Sequence, residues 1–484
     1  MKRRPLLFFL ALLLAPITRA AEDSPVFVVQ NDSVPAPAGR GARAPRLTRS
    51  PDGAIYLTWI EQFAGKSALR FASYQPAARS WSPARTATEA TGDYAFAAGP
   101  GNRLASLVCA RDALVLAESA DAGATWGKPV TLGLPATLTP SSPALEFLAD
   151  GRLLTVWTVE TPAGGAELHA HVVKGPSPTS DHLIETRVSP GSAPAIVAFP
   201  DGGALVVYRG CTETGVQDIR TARYNDNAWP PPTTLISDLW KPASAPMDGP
   251  ALAARGPHLA AAWFTGADGT SVQVSVSSNA GRQWLMPNRV DDVSPLGRPS
   301  LVLLDDGSSL AAWVEQDGSK ESVLLRRVSS RGTLSVPVRI AQGISGRPHI
   351  VRVKDGDATP AQLLLACTPA AVTPDASAPS VITRLITLPS PAQLAETDAC
   401  DCDPRPEEQR GFALQGKITA IDFDAGTLTV AHEEIPGLMK AATTTFKAGP
   451  EVLVAAQPGK RVFARTERIG PDWWLFGLRT LAAP

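Results

Sequence analysis

The chain carries almost no surplus charge: 45 Lys and Arg stand against 46 Asp and Glu over 484 residues, for a net charge of -1. That balance gives no electrostatic reason to expect a nucleic-acid partner. Beyond the first twenty residues no apolar run is long enough to span a bilayer, so no transmembrane segment is expected after them. Cysteine is sparse and odd in number, with five residues, which excludes a fully paired intramolecular disulfide framework. Tyrosine is equally scarce, with five residues and none after Tyr224. Uninterrupted helical periodicity is missing as well, because 39 Gly and 45 Pro break the chain at short intervals. Hydrophobic residues still make up 44%, enough to bury a sizeable core.

The N-terminus has the layout of a secretory signal. Lys2, Arg3 and Arg4 form a basic start, Leu6 to Ala15 an apolar core, and Thr18-Arg19-Ala20 a small-x-small cleavage site. No cysteine follows the apolar core, which argues against a lipid anchor. The expected location is periplasmic or secreted.

Self-similarity dominates the next 350 or so residues. Apolar runs end in a large or buried-type residue at Trp59, Cys109, Trp157, Tyr208, Trp263, Trp313 and Cys367. Their spacing is roughly fifty residues, in the range of a propeller blade. Most runs are preceded by a proline (Pro45, Pro143, Pro194, Pro250, Pro299, Pro348) and then a tight turn, often Asp-Gly as in Asp52-Gly53 and Asp306-Gly307. Each unit reads as a four-stranded antiparallel sheet that cannot cover both faces alone, so a closed ring is expected. The count favours seven blades over six. The last unit lacks an outer strand, which Val26-Phe27-Val28-Val29 is expected to supply. The fold class is therefore all-β: a propeller over 25–388, a linker over 389–410, and a small barrel over 411–484.

Ser119-Ala120-Asp121-Ala122-Gly123-Ala124-Thr125-Trp126 has the form S-x-D-x-G-x-T-W, and Ser277-Ser278-Asn279-Ala280-Gly281-Arg282-Gln283-Trp284 repeats it with an amide for the acid. Weaker echoes end at Trp81 and Trp229. The aspartate or asparagine oxygen can accept amides inside the turn, the glycine allows it to close, and the tryptophan packs over it. On these residues the propeller resembles the sialidase-like Asp-box superfamily. Ser119, Asp121, Gly123, Trp126, Ser277, Asn279, Gly281 and Trp284 are then structural, since that family's boxes lie on the periphery.

Sialidase chemistry requires, in that family, a late tyrosine nucleophile and an arginine cluster for the substrate carboxylate. No tyrosine is late enough, and no catalytic set is assigned. Arg43-Ala44-Pro45 is similar to the family's Arg-Ile-Pro motif without its preceding aromatic. Arg46, Arg298 and Arg347 flank the opening prolines of three units and are candidate ligands for an anion at one mouth of the channel. The segment Gln217-Asp218-Ile219-Arg220 and the loop Trp240 to Pro250 are further candidates for a functional rim. His169 and His171 share one strand face by alternation and are expected on the surface.

After residue 388 the composition changes. Pro389-Ser390-Pro391 and Cys400-Asp401-Cys402-Asp403-Pro404 read as linker. Gly416 to Asp422, Thr427 to His432, Thr443 to Phe446, Arg461 to Thr466 and Trp473 to Leu478 read as short strands of an OB-type barrel. Gly416-Lys417-Ile418-x-x-Ile421-Asp422, His432-Glu433-Glu434-Ile435-Pro436-Gly437-Leu438-Met439 and Ala441-x-Thr443-x-x-Phe446 resemble the small periplasmic copper-binding domains of the CusF type. The resemblance implies a Cu(I) site at His432 and Met439. Two methionines usual in that family are replaced by Ala442 and Thr444. Cys400 and Cys402 are candidate additional thiolates, since Cu(I) favours soft donors. Copper is the one cofactor implied, and an anionic ligand or an envelope protein the expected partner. The leading expectation is a non-catalytic exported binding or scaffold protein. A glycosidase acting on acidic sugars and a structural envelope protein are the alternatives.

Overall fold

The structure, a computed structural model, describes residues 30–390 and 412–480, except 91, 111–112, 133–138, 162–163, 175–176, 179–180, 244–247, 268, 294, 331, 355–359, 371–379, 436–437 and 470. The signal segment, Val26 to Val29, Cys400 and Cys402 lie outside the described residues.

Seven antiparallel sheets form the blades of a propeller, numbered 1 to 7 in chain order. Their innermost strands are Arg43–Arg49, Tyr94–Ala98, Thr139–Phe147, Ala195–Ala198, Ala251–Arg255, Pro295–Leu303 and Ile344–Arg352. Their second strands are Ile55–Phe63, Leu104–Cys109, Leu153–Glu160, Ala204–Arg209, His258–Thr265, Ser309–Asp317 and Gln362–Pro369. Six of the repeating residues of the sequence face the preceding blade from these second strands, while Cys109 faces the following one. Trp59, Trp157, Trp313 and Cys367 are fully buried, and Cys109, Tyr208 and Trp263 nearly so. They fill the wedge between adjacent blades, where truncating an aromatic to alanine costs about 3–5 kcal/mol. In blades 1 and 6 the buried indole N–H also has a fixed acceptor. Trp59 Nε1 donates to Glu61 Oε2 at 2.8 Å and Trp313 Nε1 to Glu315 Oε1 at 2.9 Å, each two residues on along the same strand face.

Ring closure uses both ends of the repeat. Gln30–Ser33 pairs antiparallel with Ile382–Thr387 and becomes the outer strand of blade 7. The described part of this closing strand follows directly on Val26 to Val29, the segment anticipated for it, which lies outside the described residues. Pairing from the N-terminal side covers an edge that blade 7 would otherwise leave open. The closure is also fixed by side chains: Asn31 Nδ2 donates to Ile340 O at 3.0 Å, and Trp81 Nε1 to Thr383 Oγ1 at 3.0 Å.

The first Asp-box closes the hairpin between the third and fourth strands of blade 2. Ser119 Oγ donates to Asp121 Oδ1 at 2.7 Å, while Thr125 N donates to the same oxygen at 2.9 Å and Thr125 Oγ1 to Oδ2 at 2.5 Å. These donors hold the Asp121 carboxyl down at about 2, the Thr125 hydroxyl contributing most. In blade 5 the neutral Asn279 does the same work: its Oδ1 accepts Gln283 N at 2.8 Å and Ser277 Oγ at 3.0 Å, and its Nδ2 donates to Gln283 Oε1 at 2.7 Å. Both boxes lie against the turn between first and second strands, through Ala122 N to Asn102 O at 2.8 Å and Ala280 N to Pro257 O at 2.7 Å. They therefore sit at the end of the ring opposite the proline-marked strand starts.

The C-terminal unit is a closed five-stranded barrel. Its strands are Phe412–Asp422, Thr427–His432, Ala442–Ala448, Arg461–Ile469 and Asp472–Thr480, the third and fifth pairing in parallel. A short helix, Pro450–Ala455, joins the third strand to the fourth, with Pro450 at its start and Val452 and Leu453 buried in the barrel base. The helix was not legible from sequence, because six residues give too little periodicity. Leu414, Ile418, Leu428, Val430, Phe446, Val462, Ala464 and Leu475 form the core.

Candidate functional site

In six of the seven blades a proline lies just before the innermost strand or within it, no later than its midpoint, and one mouth of the central channel is framed by Pro45, Pro143, Pro194, Pro250 and Pro299. Behind them lies a cavity of about 620 Å³. The residue after each proline faces it in six blades: Arg46, Ala144, Ala195, Ala251, Ser300 and His349. Arg43, Arg347, Thr48 and Thr368 complete the polar lining, and none of the lining residues carries a carboxylate.

Arg46 stacks its guanidinium over the Tyr94 ring at 4.8 Å. That guanidinium makes no ion pair or hydrogen bond with the described residues, and its charge is left to the cavity. Arg347 is held from behind by two carbonyls, Pro299 O at 3.0 Å from Nε and Gly249 O at 2.5 Å from the terminal nitrogen. Burial lowers the pKa of its guanidinium, and Asp248 opposes that shift. Arg298 does not join them. Its guanidinium pairs with Glu321 at 2.5 Å, and only its backbone N–H reaches the mouth loops, donating to Asp248 Oδ2 at 2.9 Å. Of the three arginines singled out from sequence, two meet in the cavity and one is neutralised beside it. His349 was not anticipated. Its position after Pro348 was the available signal.

The tyrosines rule on nucleophilic chemistry at this mouth. All five are buried. Tyr94, the one beneath Arg46, donates to Ala44 O at 2.7 Å, and burial pushes its phenol up to about 12. A tyrosine–glutamate couple does exist, Tyr208 Oη donating to Glu185 Oε2 at 3.2 Å. Glu185 is already paired with Arg220 at 2.6 Å, Tyr208 is 1% exposed, and neither lines the cavity. Burial raises the Tyr208 pKa further, which removes it as a phenolate.

The two rim segments meet each other. Gln217 N donates to Trp240 O at 2.8 Å, and the Arg209 guanidinium lies 5.0 Å from the Trp240 ring. Asp218 accepts Ser237 Oγ at 2.8 Å, and burial pushes its carboxyl up to about 6. The expected surface pair His169 and His171 is instead buried, each 3% exposed. The Trp157 ring covers both, and Asp181 Oδ2 meets His169 Nδ1 at 2.8 Å. The face they share is the inner face of the strand, packed toward blade 2.

In the barrel, His432 is buried and both ring nitrogens are engaged. Nδ1 lies 2.8 Å from Glu433 O and Nε2 2.9 Å from Thr444 Oγ1. The carbonyl can only accept, so Nδ1 carries the hydrogen and Nε2 accepts from the threonine. Met439 packs against the barrel core. His432, Thr444 and Met439 offer one imidazole, one hard hydroxyl and one thioether. That donor set does not fit Cu(I), which is held by soft ligands. Among the described residues no group of three or more His, Cys, Asp or Glu is arranged to hold a metal ion.

Residues 411–473 match the family model described as "Copper binding periplasmic protein CusF". No curated protein matches the chain at the level of sequence. Among solved structures, the propeller is similar to the BP39L lectin from Burkholderia pseudomallei, at 14% identity over 68% of this chain and 93% of the lectin, with a TM-score of 0.48. It is also similar to a protein of unknown function from Dyadobacter fermentans, at 10% identity over 75% and 99% of the two chains, with a TM-score of 0.45. NanB sialidase from Streptococcus pneumoniae gives 10% identity over 75% and 70%, with a TM-score of 0.40. The class these findings define is a seven-bladed propeller joined to an OB-type barrel, the barrel alone matching a named family. No helix among the described residues is long and apolar enough to cross a membrane.

Proposed function

We propose that this chain is an exported, non-catalytic binding protein whose propeller takes a small anionic ligand at the proline-framed mouth. The observation that carries this reading is the pair Arg46 and Arg347, which face a carboxylate-free cavity and form no ion pair with an acid among the described residues. A guanidinium in such a place favours carboxylate, sulfate or phosphate oxygens, because its planar donors match them in pairs. The buried tyrosines leave no nucleophile for the sialidase reaction. Calorimetric titration of the full chain with sulfate and with glucuronate tests the reading. Binding is expected for the wild type and at least about tenfold weaker in Arg46→Gln and in Arg347→Gln. Turnover of a fluorogenic sialoside that disappears in Arg347→Gln would replace this reading by a glycosidase.

The match of residues 411–473 to the CusF family model favours a second role, in periplasmic copper handling. On this reading copper is held by Cys400 and Cys402 rather than by His432. Loss of Cu(I) binding in Cys400→Ser/Cys402→Ser, with retention in His432→Ala, is the expected pattern.

A further inference from the structure

The arginine pair shares its cavity with a titratable neighbour. His349 projects from the innermost strand of blade 7, two residues beyond Arg347, into the same cavity. None of the described residues hydrogen-bonds its ring. Arg347 approaches from its own strand and Arg46 from blade 1, and both act on it electrostatically; Arg43, also of blade 1, lines the same cavity. The equivalent positions of blades 3, 4, 5 and 6 are Ala144, Ala195, Ala251 and Ser300, which carry no charge. Tyr94 of blade 2 is reached only through Arg46 and stays protonated. Asp248 stands behind Arg347 and acts on it. Glu146, on the innermost strand of blade 3, is not among the lining residues, and burial pushes its carboxyl up to about 7.

We infer that anion binding in this cavity is coupled to uptake of a proton by His349, so that the site prefers an oxyanion able to accept a hydrogen bond from the imidazolium as well as from the two guanidinium groups. The inference rests on the anion-binding reading above. The physical argument is a balance of charge. In the empty cavity, burial first and then the two arginines hold the imidazole neutral, its pKa well below the ordinary value. A bound anion places negative charge between the three groups and offsets the repulsion from Arg46 and Arg347. The imidazole pKa then rises in the complex. A group whose pKa is higher in the bound state takes up protons on binding, and affinity increases as pH falls between the two values. One coupled proton sets the ceiling at about tenfold per pH unit, and partial coupling gives less.

Calorimetry of the full chain tests this with sulfate and glucuronate, neither of which titrates between about pH 5 and pH 8. Titrations run in buffers of different ionisation enthalpy count the protons taken up. The expected result is fractional proton uptake and affinity rising roughly fivefold from about pH 7.5 to pH 5.5. In His349→Gln both effects vanish, whatever the remaining affinity. Binding without proton uptake in the wild type overturns the inference and leaves the anion site standing. A pH dependence that persists in His349→Gln does the same. Absence of binding by either anion at any pH overturns the anion site and this inference with it.

Discussion

Replacing Gly123 by alanine is expected to lower the stability of the propeller by about 2–4 kcal/mol, the sum of a backbone and a packing cost. Gly123 sits in the first Asp-box with φ of 77°, in the left-handed region where a Cβ is strained. That cost alone is about 1 kcal/mol. The added carbon would also lie 2.4 Å from Phe71 Cζ and 2.9 Å from Phe71 Cε2. Phe71 cannot step aside. It is fully buried, with Trp126 edge-on at 5.9 Å and Phe96 at 6.0 Å. Gly101 is the control, with φ of 64° and nothing within 4 Å of a built Cβ. Gly101→Ala should show the backbone cost only. Urea denaturation of the two variants separates the terms. Equal midpoints would mean that the box hairpin yields where the packing says it cannot.

The second large effect is a gain. Installing Ala442→Met and Thr444→Met together should turn the barrel into a Cu(I) site at least about a hundredfold tighter than the parent. Ala442 and Thr444 alternate on one face of their strand, and Thr444 already touches His432 Nε2. Removing the hydroxyl frees that nitrogen as a ligand, and two thioethers supply the softness the parent lacks. Nδ1 stays tied to Glu433 O, which keeps the imidazole oriented for binding. The comparison is made in a Cys400→Ser/Cys402→Ser background, so that linker thiolates do not mask the barrel. Competition against a chromogenic Cu(I) chelator gives the two affinities. Tight binding by the parent in that background, lost in His432→Ala, would show that the histidine–threonine hydrogen bond does not close the site.

Much of the architecture was readable because it is periodic. Trp59, Trp157, Trp263 and Trp313 recur at blade spacing because every interblade wedge needs the same bulk at the same height. The prolines recur because a residue that lacks an amide donor fits where the ladder is interrupted: Pro45, Pro143, Pro299 and Pro348 lie at register shifts of the innermost strands, and Pro194 and Pro250 directly precede theirs. The Asp-boxes were legible because side chain and backbone of one short hairpin satisfy each other. The barrel's strands followed from alternation, while its short helix did not.

The functional side chains are a different matter. Arg46, Arg298 and Arg347 look alike in sequence, each beside an opening proline. Which of them faces the channel depends on the register shift in each strand and on whether an acid such as Glu321 stands within reach. The burial of His169 and His171 was likewise invisible, since alternation gives a shared face but not which face the neighbouring blade covers. The same limit hid the Tyr208–Glu185 couple and the tie between His432 and Thr444.

By itself, then, the order of residues determined the number of sheets, their strand rhythm, the box hairpins and the presence of a second small barrel. All of these repeat locally or depend on neighbours a few positions apart. Which charges remain unpaired, which phenols are sealed off and which imidazole stands alone between two cations emerged only when the ring closed. Those properties depend on pairs of groups brought together from distant blades.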